Sequence, residues 1–148
     1  MWSAGVFAGA FAQDAPQPRL RTTPLAITTV TGEHRFTVEM AISPEQKARG
    51  LMFRTAMPAD EGMLFDFGRD DIVTMWMRNT ILSLDMIFID RDGRVATIAE
   101  RTTPFSEAII SSRVPVRAVL EVNAGVARRI GLRRGDRVRN VIFGNGPS

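Results

Sequence analysis

The stretch HRFTVEMAI, residues 34–42, alternates apolar and polar residues, with Phe36, Val38, Met40 and Ile42 on one row and Arg35, Thr37 and Glu39 on the other. A period of two sends successive side chains to opposite faces of an extended chain, so this segment fits a half-buried strand and not an amphipathic helix. The same short rhythm recurs in LAITTV, MLFDF, IVTMWM, VATIAE, VRAVLEV and RVRNVIF, with turn signals such as TGE, GRDD and DRDGR between the runs. In LSLDMIFID both rows are largely apolar, Leu82, Leu84, Met86 and Phe88 against Ser83, Asp85, Ile87 and Ile89, which marks a central strand. In VRAVLEV the inward row is Val116, Ala118, Leu120 and Val122, and Glu121 lies on the opposite row with Arg117, Val119 and Asn123.

Helical signals are few. SPEQKARG offers Ser43 as N-cap, Pro44 at the first helical position, Gln46 to close a capping box and Gly50 just past the end. Asn123 can cap a second short helix through AGVARRIG. Strands without an alternating βα pattern predict a mainly β fold, a single-domain antiparallel sandwich or barrel, jelly-roll-like, with two short helices. The full length of 148 residues suits one domain. That domain is expected over 25–148, after a segment 1–24 in which an apolar run ending in Ala-Phe-Ala before Gln13 resembles a signal peptide lacking its basic start, followed by a proline-rich linker. Export, to a periplasm, is the corresponding expectation, with no transmembrane segment in the mature domain.

The composition removes several chemistries. With no cysteine there is no thiol nucleophile, thiolate metal site or disulfide, and the single histidine, His34, leaves histidine triads and multi-histidine metal sites without a second member. Glycine-rich nucleotide fingerprints do not occur, and DRDGR is not a calcium loop, because Arg101 falls where a bidentate glutamate is needed. No metal and no cofactor are therefore expected. Residues 101–148 carry nine arginines against three acids, and Arg128, Arg129, Arg133, Arg134, Arg137 and Arg139 are bunched. No aromatic residues interleave them to stack on bases, and arginine outnumbers lysine throughout, so a solvated basic surface is expected rather than a nucleic-acid site.

Polar residues inside the otherwise apolar stretch WMRNTILSLD, residues 76–85, need partners if buried and form either a hydrogen-bond knot or part of a site. Asp85 shares a row with Ile87 and Ile89 and calls for a cation or several donors. Arg54 is preferred over Arg78 as its partner, because Arg54 follows the apolar GLMF while Arg78 can escape to water. Asp85 and Glu121 together would suit acid–base hydrolysis if they converged.

GLMFR at 50–54, DEGMLFDF at 60–67, WMRNTILSLDMIFID at 76–90, VLEVNAG at 119–125 and GD at 135–136 resemble, in order, the motifs of the family of unknown function DUF192. The resemblance covers roughly residues 25–143 and implies a small, mainly β, jelly-roll-like domain, often carried by bacterial or archaeal proteins with a signal peptide or membrane anchor. It supplies no catalytic or binding residue. The candidate ligand-binding set is Arg54, Trp76, Arg78, Asn79, Thr80, Asp85 and Glu121. The expected function is an exported module binding a small molecule or glycan at a polar cleft around Trp76–Asp85. The alternatives are a hydrolase using Asp85 and Glu121, or a cell-envelope interaction module without a ligand site. An exposed Trp76 in an apolar groove favours the first, facing carboxylates the second and a fully buried knot the third.

Overall fold

The computed structural model describes residues 14–147. The signal-like run at 1–12 lies outside them. The alternating runs form seven strands, β1 (Thr22–Thr29), β2 (Gly32–Ala41), β3 (Glu61–Met75), β4 (Leu84–Ile89), β5 (Val95–Ala99), β6 (Ile110–Asn123) and β7 (Arg137–Arg139). Among the described residues the α-helices are α1 (Pro44–Arg49) and α2 (Val126–Arg129), and a 3-10 turn follows at Val141–Phe143. All seven strands belong to one sheet in the order β5-β4-β6-β3-β2-β1-β7.

This is the expected mainly β fold, realised as a curled half-barrel. β1 and β2 form the hairpin, with Thr29 opposite Gly32. β2 and β3, however, run parallel, Thr37 to Ala41 beside Glu61 to Phe65, because the connection through α1 crosses over instead of turning back. GRDD does not end a strand: β3 pairs with β6 on both sides of it, with a register shift between Asp66 and Asp71, and Gly68 takes a positive φ of 76° in this bulge. Two expected strands are thus one long one.

Curling brings the sheet edges together at one end. Arg94 bridges Arg137, Val95 donates to the Asp136 carbonyl at 2.9 Å, and Val138 donates to the Gly93 carbonyl at 2.7 Å. The chains touch so closely there that a Cβ on Gly93 would sit 2.6 Å from the Val138 oxygen.

Both faces of the sheet are covered. Leu25, Ile27, Phe36, Val38, Leu64, Ile87 and Leu120 pack inside the curl. Met63, Phe65, Met86, Phe88 and Val119 pack outside it, beneath Leu51, Met57 and Met77. β4 is buried along its whole length, as a central strand must be. Ile42, at the end of its apolar row, is exposed, whereas Glu39 on the polar row is buried.

The domain also begins before Leu25. β1 starts at Thr22, the Gln17 amide nitrogen donates to the Gln46 and Gly50 carbonyls at 3.1 and 3.0 Å, and the Leu20 N–H donates to Glu39. The proline-rich stretch is extended, but its backbone and polar groups have partners in the domain.

Candidate functional site

α1 forms as its capping signals require: Gln46 N–H donates to Ser43 Oγ, the Ser43 N–H donates to Gln46 Oε1, each at 3.1 Å, and Gly50 closes the C-terminus at a φ of 49°. This short helix stands against the outer face of β3 and β6 and walls a cavity of about 240 Å³. Leu51, Met52, Phe65, Phe67, Met75 and Trp76 supply most of the apolar lining, and Lys47, Arg49, Thr74, Thr80 and Glu121 its polar groups.

Glu121 is the unusual member. It is 4% exposed, and on the neighbouring strands its register partners are Met63 and Met86. No hydrogen bond or ion pair reaches its carboxyl among the described residues, and burial alone pushes that carboxyl from the ordinary 4.5 up to about 8. β3 passes close beside it, since a Cβ on Gly62 would meet the Glu121 backbone oxygen at 2.6 Å. Glu121 is therefore a protonated acid at neutral pH, able to donate one hydrogen bond or to ionise beside a cation.

The stretch after β3 supplies another side of the cavity. Trp76 is 40% exposed, with the Arg78 guanidinium 5.4 Å from its ring centroid. Asn79 takes a left-handed φ of 54°, its carbonyl accepts from the Phe53 N–H at 2.8 Å, and the Thr80 N–H closes a turn onto Met77. Asn79 therefore shapes this wall through its backbone while Trp76 and Thr80 line the cavity.

The expected Asp85–Arg54 pair does not exist. Asp85, 0% exposed, accepts from three backbone N–H groups, those of Arg101, Gly125 and Ala127, at 2.8, 3.0 and 2.9 Å. Backbone amides from the loop after β5 and the start of α2 do the work assigned to a cation. Arg54 instead clamps Glu39 in a bidentate pair at 2.5 and 2.7 Å. Burial pushes the Glu39 carboxyl up, but Arg54 and the Leu20 N–H outweigh it and hold the group below the ordinary range. Nor do Asp85 and Glu121 converge: Asp85 is opposite Val122 and Met86 is opposite Glu121, so the pleat sends the two carboxyls to opposite faces of the sheet. A two-carboxylate hydrolase built on them is ruled out by register.

The model of the family DUF192, described as "Uncharacterized ACR", matches residues 26–140. The chain belongs to the DUF192 family. Among solved structures, a Sinorhizobium meliloti 1021 protein provisionally labelled a transcription regulator is similar at 47% identity and a TM-score of 0.82, over 85% of this chain and 98% of that one. A protein of unknown function from Novosphingobium aromaticivorans DSM 12444 is similar at 38% identity and a TM-score of 0.79, over 87% of this chain and 96% of that one. No curated protein matches the chain.

Of the candidate residues, this DUF192 domain brings Trp76, Thr80 and Glu121 to one cavity and leaves Arg54, Arg78, Asn79 and Asp85 out of its lining. Sequence reasoning missed Lys47, Met52, Phe65, Phe67 and Thr74. A usable signal was present: Met63, Phe65 and Phe67 form one row of MLFDF, opposite the row of Leu64, so a second apolar face needed a cover. Among the described residues no group of three or more His, Asp or Glu side chains is placed to hold a metal, and no helix is long and apolar enough to cross a membrane.

Proposed function

We propose that this DUF192 domain is an exported module that binds a small molecule in the cavity between α1 and the outer face of β3 and β6. The observation that carries the reading is Glu121, a buried carboxyl without a protein partner that lines the cavity. Among the described residues no fully buried side-chain oxygen or nitrogen lacks a hydrogen-bond partner, so the Glu121 carboxyl, which has no protein partner, is open to the cavity, where a ligand can meet it. Trp76, half open to solvent at the cavity, supplies a flat apolar surface, and Thr80 a second polar contact. The volume of about 240 Å³ is below the ~300–1,000 Å³ usual for ligand sites, which favours a compact molecule over an extended glycan.

Localisation follows from the signal-like segment alone. Fusing residues 1–24 to a reporter active only outside the cytoplasm should give activity, and a silent fusion would remove export from the reading.

The label of the Sinorhizobium relative suggests a role on DNA, but α1 spans six residues and α2 four, too short to serve as a helix read along a major groove.

The ligand reading is tested by thermal-shift screening of the full chain against a panel of small metabolites, with Thr74→Trp as the control. Thr74 is exposed and lines the cavity, so a tryptophan there should block entry while the domain still folds. Hits that stabilise the protein and vanish in this variant support the reading. A panel without hits, or hits indifferent to the variant, would overturn it.

A further inference from the structure

We propose that the cavity takes a small organic cation, of the quaternary ammonium type, with Glu121 as its counterion and Phe65, Phe67 and Trp76 as its aromatic surround. This inference rests on the cavity being a ligand site and adds the chemical class of the ligand.

Three observations converge on a cation. Burial is the one influence on the Glu121 carboxyl and no ion pair to it is found among the described residues: its register neighbours on β3 and β4 are Met63 and Met86, and Lys47, which α1 brings to the cavity, is engaged with the Asp66 carbonyl and the Phe67 ring. A cation entering the cavity would supply a countercharge where the low dielectric makes the attraction strong. Secondly, three aromatic side chains and the thioethers of Met52 and Met75 share the lining, the composition that recognises an ammonium group through ring quadrupoles and soft, polarisable contacts. A neutral sugar would instead need several directed donors and acceptors, and the lining offers few.

Thirdly, two of these rings already attract cations. Lys47 Nζ sits 4.8 Å from the Phe67 centroid and the Arg78 guanidinium 5.4 Å from that of Trp76. Lys47 and Arg49, both in the lining, are the groups that would oppose an incoming cation. The Lys47 ammonium is held by the Asp66 carbonyl at 2.8 Å as well as by the Phe67 ring, and it makes no ion pair with Glu121.

The class of ligand fixes the sign of the pH dependence. A permanent cation needs Glu121 ionised, so its affinity should climb about tenfold per pH unit below the carboxyl midpoint and level off above it. A neutral acceptor needs Glu121 protonated, so its affinity should fall as pH rises through the midpoint.

The experiment is calorimetric titration of the full chain with choline and with its uncharged carbon isostere, in which a quaternary carbon replaces the nitrogen. Each is titrated below and above pH 8, where the Glu121 carboxyl, raised to about 8, changes state. Choline binding that is tighter than that of the isostere, strengthens with pH and drops about tenfold or more in Glu121→Gln is the expected result. The pH slope of the unaltered protein carries the test if that variant does not fold. An isostere that binds as well as choline, or an affinity for choline that weakens as pH rises, would overturn the cation class. So would silence from both compounds when another member of the metabolite panel binds. If the whole panel is silent as well, the cavity reading itself falls.

Discussion

Asp85 and Glu121 sit on adjacent strands, both nearly inaccessible to water, yet their surroundings oppose each other. Asp85 has three backbone donors and Glu121 has none. Replacing Asp85 by Asn turns an acceptor-only group into one that must present an NH₂ toward one of those donors, and the expected loss is about 3 kcal/mol in chemical denaturation. Arg54→Met should not rescue it, because Arg54 belongs to Glu39; losses in the Asp85–Arg54 double-mutant cycle should add, whereas a strong rescue would restore the discarded pairing. Glu121→Gln should behave in the reverse sense. A glutamate raised to about 8 in the fold and titrating near 4.5 when unfolded binds more protons folded than unfolded between those values. Its contribution is therefore fully present below pH 4.5 and is lost as pH rises through about 8, so stability slopes downward across that window. The Gln variant should flatten the slope in urea melts taken at a series of pH values, and an unchanged slope would show that another group is responsible.

At the scale of elements, α1 was legible because a helix end is written locally: Ser43, Pro44, Gln46 and Gly50 each satisfy or avoid a particular backbone group. Ser43→Ala should cost about 1 kcal/mol in the same melts and loosen the cavity wall with it. The strands were legible through their alternation, but alternation states which residues share a face and is silent on whether that face is covered. For that reason Glu39 and Glu121, both on polar rows, were readable as surface residues, although loops and α1 bury them. Likewise GRDD has turn chemistry, yet β3 runs on through it as a bulge and pairs with the same partner on both sides, since a bulge and a hairpin use the same residues. Around α2 and the following turn, Arg128, Arg129, Arg133 and Arg134 are exposed. Binding of this surface to duplex or single-stranded DNA should be weak and disappear at moderate salt, and a tight, salt-resistant complex would require a different function for the domain.

For the molecule as a whole, the mainly β class and the family could be read from the chain, while the parallel β2–β3 pair, the meeting of β5 and β7 and the cavity could not. Each of those depends on contacts between residues far apart in sequence, set by how far one sheet curls. The seam at Gly93 is a sensitive point of that curl: Gly93→Ala adds a Cβ 2.6 Å from the Val138 oxygen at a φ of 80°, and should cost about 2 kcal/mol and speed amide exchange in β5 and β7 together. The cavity lies on the convex side, where a single short helix and the segment after β3 close over β6, and everything proposed for it turns on the state of one carboxyl. An NMR titration of the Glu121 side-chain carboxyl in the unliganded protein measures that state most directly. A midpoint near 8 is expected, and one near the ordinary 4.5 would contradict the partnerless, buried acid on which the ligand reading stands.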